Sequence, residues 1–215
     1  MFPNIKAAIF DLDGTLVDSM WVWDKIDKDY FNSINIPMPK NLKEEINHLS
    51  FEQTALYFKT KYNLTSSIED IILNWTNMAI HDYSHEVPLK EGALDYIQYL
   101  KKNKIKIGLA TSNSYPLLEA TLKNNNIYHY FDTITTSSEV NKSKSNPDVY
   151  LLAAKKLGIS PSSCVVFEDI MEGVLGAKSA GMKTVAVYDK YAIHQKNELI
   201  NVADLYIENY FELLQ

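Results

Sequence analysis

The chain has 215 residues, of which 46% are hydrophobic and 22% charged, and it carries a formal net charge of -6. This length fits one large domain, or a core domain with a smaller insert. The acidic balance argues against a broad surface for nucleic acid or anionic membranes. Because no run of about eighteen apolar residues and no signal-peptide pattern occurs, we expect a cytoplasmic protein without nucleic-acid or membrane partners.

All 21 basic residues of the chain are lysines. Without a guanidinium group, an anion has to be held by lysine side chains, hydroxyl groups and backbone N–H groups. The single cysteine, Cys164, lies in an apolar run that extends to Phe167, where we expect it to be buried. One cysteine cannot form a disulfide framework within the chain.

Short apolar runs alternate with helix-like segments along most of the chain. The predicted strands cover residues 7–10, 105–110, 131–135, 164–167, 184–187 and 205–207. Apolar spacing and start or stop signals predict helices over residues 92–102, 146–158 and 175–180, and a further helix that begins near Pro116. This alternation predicts an α/β fold, with a Rossmann-like parallel sheet and helices on both faces.

Residues 18–87 interrupt the alternation. They contain many aromatic residues, often at helical spacing, and no convincing strand. Pro88 and Gly92 mark the return to the alternating pattern. We therefore predict an α/β core domain formed by residues 1–17 and 88–215, and an inserted all-α domain with its own apolar core over residues 18–87.

Two carboxylates follow the first predicted strand. The apolar run from Ala7 to Phe10 leads directly into Asp11 and Asp13, and Gly14 comes next. Like charges held close together repel, and a buried carboxylate loses solvation unless a cation or a proton compensates it. This pattern indicates a site for a hard cation and for nucleophilic or acid–base chemistry.

Polar residues also follow two other predicted strands. Thr111 and Ser112 end the second strand, and Glu168 and Asp169 end the fourth. In open parallel sheets, ligands bind beyond the carboxyl ends of the strands, at the point where the strand order reverses. The sequence therefore predicts one site that combines the side chains at these three strand ends.

In order along the chain, these residues resemble the four motifs of haloacid dehalogenase superfamily hydrolases. The first motif is Asp11-Leu12-Asp13-Gly14-Thr15, and the others are Thr111, then Lys144, then Glu168-Asp169. The resemblance covers nearly the whole chain. It is closest to the group that carries a helical cap inserted after the first strand, so it implies that residues 18–87 form this cap.

The resemblance implies separate roles for the acidic residues. Asp11 would attack phosphorus and form an aspartyl phosphate, and Asp13 would act first as general acid and then as general base. It also implies a Mg²⁺ ion held by the side chains of Asp11 and Asp169 and by the main-chain carbonyl of Asp13. Glu168 would contribute to this metal site partly through water.

The same resemblance implies how the phosphate is bound. The hydroxyl group of Thr111 and the backbone N–H groups of Ser112 and Asn113 would donate hydrogen bonds to it, at a loop that leads into a helix. Lys144 would neutralise both the phosphate and the nucleophile. A loop that binds in this way suits a chain without arginine.

Three residues of the insert are candidates for substrate specificity: Trp23, His48 and Phe51. In the resembled family, the cap closes over the site, excludes water and selects the organic part of the substrate. By count from Asp11, Trp23 stands where enzymes of the β-phosphoglucomutase type have a histidine. Because a cap has to move, we expect a monomer.

These observations favour a Mg²⁺-dependent phosphatase that acts on a small phosphorylated metabolite, such as a sugar phosphate or a phosphoglycolate-like compound. One alternative is a phosphosugar mutase of the β-phosphoglucomutase type, which Trp23 and the lack of arginine disfavour. The other alternative is a non-catalytic binding module on the same scaffold. The complete set of Asp11, Asp13, Lys144 and Asp169 disfavours that module, because mutually repelling acids have no use there.

Overall fold

The computed structural model describes residues 2–46 and 49–214, and in this part of the chain the strands form a six-stranded parallel sheet. The strands are β1 Ala7–Phe10, β2 Lys106–Thr111, β3 Thr133–Thr136, β4 Cys164–Glu168, β5 Lys183–Val187 and β6 Leu205–Ile207. Their order in the sheet is β3-β2-β1-β4-β5-β6. After β3 the chain crosses back and continues from β4, so the strand order reverses between β1 and β4. The predicted Rossmann-like α/β fold is confirmed.

Strand β1 is buried on both of its faces. Ala8 and Phe10 belong to the apolar core on one side of the sheet, and Ala7 and Ile9 belong to the core on the other side. Because successive side chains of a strand point to opposite faces, a continuous apolar run is what a sheet covered on both sides requires. The fully buried Cys164 begins the neighbouring strand β4, as predicted.

The helices, in chain order, are α1 Met20–Ser33, α2 Leu42–Ile46, α3 Phe51–Lys61, α4 Ile68–His85, α5 Ala93–Lys102, α6 Tyr115–Asn124, α7 Asp148–Leu157, α8 Met171–Ser179 and α9 Lys196–Val202. Helices cover both faces of the sheet, with α5 on one face and α7 on the other. Helix α8 begins earlier than the predicted residue 175 and continues through Gly173 and Gly176. Tertiary packing outweighs the low helix propensity of these glycines, because neighbouring groups lie where their side chains would be.

Helices α1 to α4 lie between β1 and α5 along the chain and pack around aromatic side chains. The Phe58 ring meets those of Tyr30 and Trp75 edge-on, at centroid distances of 5.9 and 5.0 Å. The sequence predicted a separate apolar core for this insert. Instead, its buried residues are continuous with the core on one face of the sheet, because α4 packs along α6.

In the described ranges, no helix is long and apolar enough to span a bilayer.

Helix α8 lies directly against the loop that carries Lys144. A Cβ atom on Gly176 would lie 1.9 Å from the carbonyl oxygen of Lys144 and 3.0 Å from that of Asn146. These are backbone atoms, so they cannot turn away as the end of a flexible side chain can. The absence of a side chain at Gly176 therefore sets how closely this loop approaches the sheet.

We expect Gly176→Ala to lower the free energy of unfolding by about 1–3 kcal/mol, because the added methyl group overpacks this contact. Helix propensity alone would raise the free energy of unfolding, because alanine favours a helix more than glycine does. The expected decrease is therefore opposite in sign to the propensity effect. Urea denaturation followed by circular dichroism measures the change. Ser179→Ala, at an exposed position of the same helix, is the control. A Gly176→Ala protein as stable as this control would contradict the close contact.

Candidate active site

The predicted site residues meet at the carboxyl edge of the sheet. Asp11 directly follows β1, Thr111 ends β2, and Glu168 ends β4 with Asp169 after it. The backbone N–H of Asp11 donates to the carbonyl oxygen of Phe167 at 3.0 Å, which continues the pairing of β1 with β4. The acidic residues therefore lie where the strand order reverses, which is where open α/β sheets bind their ligands.

Lys144 is buried between two of these carboxylates. Its Nζ lies 2.6 Å from Asp11 Oδ1 and also pairs with Glu168 Oε1, and only 3% of its side chain is exposed. The hydroxyl of Tyr150 donates to Glu168 Oε1 at 2.7 Å. Burial by itself lowers the pKa of Lys144, but the charges of Asp11 and Glu168 outweigh it and raise this pKa. Lys144 is therefore a fixed ammonium group beside Asp11. The spacing of residues in the sequence alone could not predict this contact.

Asp11, Glu168 and Asp169 form a buried acidic cluster. One carboxylate oxygen from each residue lies within 4.8 Å of the others. Thr15 Oγ1 donates to Asp169 Oδ1 at 3.0 Å, and Glu168 Oε2 is buried without a hydrogen-bond partner among the described residues. Burial, followed by the charge of Asp11, raises the pKa of Asp169 well above its usual value. The cluster is unfavourable unless a cation or protons compensate it.

This donor set fits a hard divalent cation. Oxygen ligands are what Mg²⁺ prefers, and one or two carboxylates with water and substrate oxygens complete its shell. When ionised, the carboxylates of Asp11, Glu168 and Asp169 outnumber the single ammonium of Lys144, so the cluster keeps an excess of negative charge. The buried Glu168 Oε2 has no hydrogen-bond partner among the described residues, so it adds one more oxygen atom that a cation at this cluster would stabilise.

Gly14 leaves the space in which the Asp169 carboxylate lies. It has a φ of +79°, and a Cβ atom there would lie 2.4 Å from Asp169 Oδ2. A side chain at this position would therefore strain the backbone and displace the carboxylate. The glycine of the first motif thus contributes directly to the geometry of the acidic cluster.

Asp13 lies in a different environment from Asp11. Its Oδ1 accepts hydrogen bonds from the Ser19 hydroxyl at 2.6 Å and from the Tyr83 hydroxyl, and its Oδ2 accepts one from Asn113 Nδ2 at 2.8 Å. All three donors are neutral. Burial, followed by the charge of Asp11, raises the pKa of Asp13, and the three hydrogen bonds offset this only in part.

Tyr83 is a site residue that the sequence did not reveal. It lies near the end of α4, and it is fully buried where its hydroxyl reaches Asp13. A tyrosine at helical spacing in an aromatic-rich insert is typical of a core residue, so its pattern carried no separate signal. The last helix of the insert therefore contacts the candidate acid–base residue directly.

The loop after β2 is held by its own hydrogen bonds. The backbone N–H of Asn113 donates to Thr111 Oγ1 at 3.0 Å, and the Asn113 side chain bonds Asp13. The carbonyl of Ser112 accepts a hydrogen bond of 3.2 Å from the backbone N–H of Phe51. This loop, predicted to bind phosphate, therefore touches both Asp13 and the first residue of insert helix α3.

A cleft with about 890 Å³ of empty space, part of it open to solvent, joins the acidic cluster to the insert. Its walls include Asp11, Asp13, Thr111, Lys144 and Asp169 on one side, and aromatic residues of the insert on the other. Trp23 lines it and packs against Phe51 at a ring-centroid distance of 5.4 Å. His48, the third predicted specificity residue, lies outside the described residues.

A family model described as haloacid dehalogenase-like hydrolase matches residues 8–187. The chain belongs to the haloacid dehalogenase-like hydrolase family. The matched range contains the motif residues, from Asp11 to Asp169, that gather at the strand ends. The resemblance predicted from these motifs is thereby confirmed.

The relatives of this chain include a phosphatase and a phosphosugar mutase. Hexitol phosphatase B of Escherichia coli (strain K12) is 28% identical over 187 residues, which cover 86% of this chain and 84% of the relative. β-Phosphoglucomutase of Bacillus subtilis (strain 168) is 32% identical over 194 residues, covering 85% and 83%. Among solved structures, CbbY from Rhodobacter sphaeroides in complex with phosphate has a TM-score of 0.86 at 25% identity, covering 97% and 96%. The hydrolase family and its phosphatase relatives confirm the prediction of a phosphoric monoester hydrolase.

We expect Mg²⁺ to raise the melting temperature and a chelator to reverse the rise, because the ion offsets repulsion in the acidic cluster. Binding at a hundredfold excess over the dissociation constant stabilises a protein by about 2.7 kcal/mol. Asp169→Asn removes one carboxylate of this cluster, so the rise in melting temperature should be much smaller. Asp95→Asn, on the exposed side of α5, should keep it. Equal rises in both variants, measured by differential scanning fluorimetry, would place the ion elsewhere.

Proposed function

We propose that this protein is a Mg²⁺-dependent phosphatase that hydrolyses a small phosphorylated metabolite through an aspartyl phosphate on Asp11. The substrate is a sugar phosphate or a phosphoglycolate-like compound. The observation that carries the proposal is the contrast between Asp11, paired with the ammonium of Lys144, and Asp13, held by neutral donors. This contrast suits a charged nucleophile beside a proton donor.

In the first step, an oxygen of the Asp11 carboxylate forms a bond to phosphorus while the ester P–O bond breaks. The leaving alkoxide takes the proton of Asp13. The raised pKa of Asp13, caused by burial and by Asp11, favours the protonated form that this step needs. The ion pair with Lys144 holds the Asp11 carboxylate at the wall of the cleft.

In the second step, a water molecule attacks phosphorus and Asp13 takes up its proton. The bond between Asp11 and phosphorus breaks, so that inorganic phosphate leaves and both aspartates return to their starting states. A bound Mg²⁺, held by Asp11, Asp169 and the Asp13 carbonyl with Glu168 nearby, would neutralise charge and polarise the phosphoryl group. The Thr111 hydroxyl and the backbone N–H groups of Ser112 and Asn113 would orient the phosphate, and the Asn113 N–H would exchange its hydrogen bond to Thr111 Oγ1 for one to the phosphate.

We further propose that residues 18–87 act as the cap of this core of residues 1–17 and 88–215. Two hydrogen bonds between these residues and the site support this role. The backbone N–H of Phe51 donates to the Ser112 carbonyl, and the Tyr83 hydroxyl donates to Asp13. Trp23 and Phe51 form part of the wall that faces the organic group of the substrate. Closure of such a wall excludes water and completes the catalytic arrangement.

A phosphosugar mutase is the second candidate, because β-phosphoglucomutase of Bacillus subtilis is 32% identical to this chain. A mutase returns the phosphoryl group of Asp11 to a sugar rather than to water. Incubation with β-glucose 1-phosphate, with and without a bisphosphorylated glucose, separates the two activities. Release of inorganic phosphate supports the phosphatase, whereas glucose 6-phosphate formed only with the bisphosphate supports the mutase.

Asp11→Asn should abolish hydrolysis of p-nitrophenyl phosphate, lowering kcat by at least about a thousandfold, because the amide cannot replace the attacking carboxylate. Release of p-nitrophenolate in the presence of Mg²⁺ measures this loss, and a chelator should cause a comparable one. Asp95→Asn serves as the matched control for charge. Near-normal turnover by Asp11→Asn would rule out the nucleophile assignment.

Tyr83→Phe should lower kcat by about tenfold for an alkyl phosphate and by less for p-nitrophenyl phosphate, because a hydrogen bond that positions Asp13 is lost. The alkoxide needs the proton of Asp13 to leave, whereas p-nitrophenolate is a weak base. Tyr30→Phe, another buried tyrosine of the insert, should change neither value. An equal loss on both substrates would point to a structural role for Tyr83 instead.

A further inference from the structure

A second pair of opposite charges lies on the insert side of the cleft. Asp27, on α1, and Lys43, on α2, both line the cleft that contains Asp11 and Asp13. The Lys43 Nζ lies 2.9 Å from Asp27 Oδ2, an ion-pair distance. Only 7% of Asp27 is exposed, whereas about a third of the Lys43 side chain is.

Asp27 is an unusual residue for this position on structural grounds alone. Its neighbours along the cleft wall include Trp23, Ile26 and Trp75, so burial raises the pKa of its carboxyl group, and the charge of Lys43 offsets this only in part. Asp27 Oδ2 is buried, and its partner in the structure is the Lys43 ammonium 2.9 Å away. A buried ion pair contributes little net stability, and apolar side chains would pack here as well or better. The pair therefore places an anionic acceptor and a cationic donor together in the wall of the cleft.

We propose that Asp27 and Lys43 together bind a hydroxyl group of the substrate's organic part, and that the preferred substrate is a polyhydroxylated alcohol carrying a single phosphate. This inference rests on the proposed phosphatase function and narrows its small phosphorylated metabolites to those whose organic part is rich in hydroxyl groups. A hydroxyl group both donates and accepts a hydrogen bond. It can therefore donate to the Asp27 carboxylate while it accepts from the Lys43 ammonium.

The charges around the cleft disfavour a second anionic group on the substrate. Among the described residues that line the cleft, the lysines are Lys43 and Lys144, and each is already paired with a carboxylate. A carboxylate or second phosphate directed at this wall would face the buried negative charge of Asp27. Phosphoglycolate-like compounds should therefore be poor substrates, although the chemistry at Asp11 would accept them.

The aromatic wall fits the rest of a polyol. Trp23, Phe51 and Trp75 line the cleft, and the Phe51 and Trp75 rings pack at a centroid distance of 5.6 Å. The C–H groups of a polyol present an apolar face that can pack on such rings, and its hydroxyl groups then point to a few fixed polar atoms. Apolar walls with one buried polar pair are the arrangement that gives orientation and specificity.

The test compares polyol monophosphates of three to six carbons with unsubstituted alkyl phosphates of equal length, under saturating Mg²⁺. For the best polyol phosphate, Asp27→Asn should lower the ratio of its kcat/KM to that of the matching alkyl phosphate by about 10- to 100-fold, through the loss of a charge-assisted hydrogen bond. The same substitution should raise kcat/KM for 2-phosphoglycolate, since it removes a facing negative charge. Asp29→Asn, at an exposed position of α1, is the matched control and should change none of these values.

Lys43→Gln provides a second variant at a more exposed position, and it should also lower the polyol-to-alkyl ratio. An unchanged ratio in Asp27→Asn and Lys43→Gln, or a wild-type protein that hydrolyses no polyol phosphate better than its alkyl counterpart, would overturn the proposal. A failure of the proposed function looks different. In that case the wild-type protein would not hydrolyse p-nitrophenyl phosphate, or Asp11→Asn would hydrolyse it normally.

Discussion

The buried ammonium of Lys144 is the interaction on which the rest of the site depends. It pairs with Asp11 and Glu168, and these carboxylates could not lie side by side in the interior without it. The surrounding fold is shaped to bring it there. The missing side chain at Gly176 lets the loop of Lys144 lie against α8, and Gly173 leaves room for the Glu168 carboxylate. Removing one partner of such a network leaves an uncompensated buried charge, so the loop, helix α8 and strand β4 act as one unit.

From this arrangement follows the difference between two aspartates that are only two residues apart. Asp11 lies within the charged network, whereas Asp13 points to hydroxyl and amide donors. The same local sequence therefore supplies one carboxylate that is paired with an ammonium and another whose pKa is raised by burial. A phosphatase that works through a covalent intermediate needs both kinds of group within reach of one phosphorus atom.

The strands and the first group of site residues were readable from the sequence because each carries a local signal. Folding alone does not favour two carboxylates, Asp11 and Asp13, at the end of a buried strand, so their presence there indicates a function. The carboxyl ends of parallel strands lie at one edge of the sheet, which indicates where the site residues meet. Tyr83, Asp27 and Tyr150 carried no such signal, since each occupies a helix position that a core or surface residue could also fill. Their roles arise from helix packing between distant segments. For the same reason the continuity of the insert with the core could not be predicted.

The lack of arginine connects these observations. A phosphate bound beside Asp11 meets one ammonium group, and that group is already shared with Asp11 and Glu168. In the proposed function, a metal ion at the acidic cluster would supply the remaining positive charge, and the N–H groups of the loop after β2 would donate hydrogen bonds to the phosphate. On the far side of the cleft, the charge of Lys43 is likewise balanced by Asp27. In the proposed function, the cleft would therefore attract one anionic group strongly, at the end where Asp11 would attack it, and would offer hydrogen bonding at the other end.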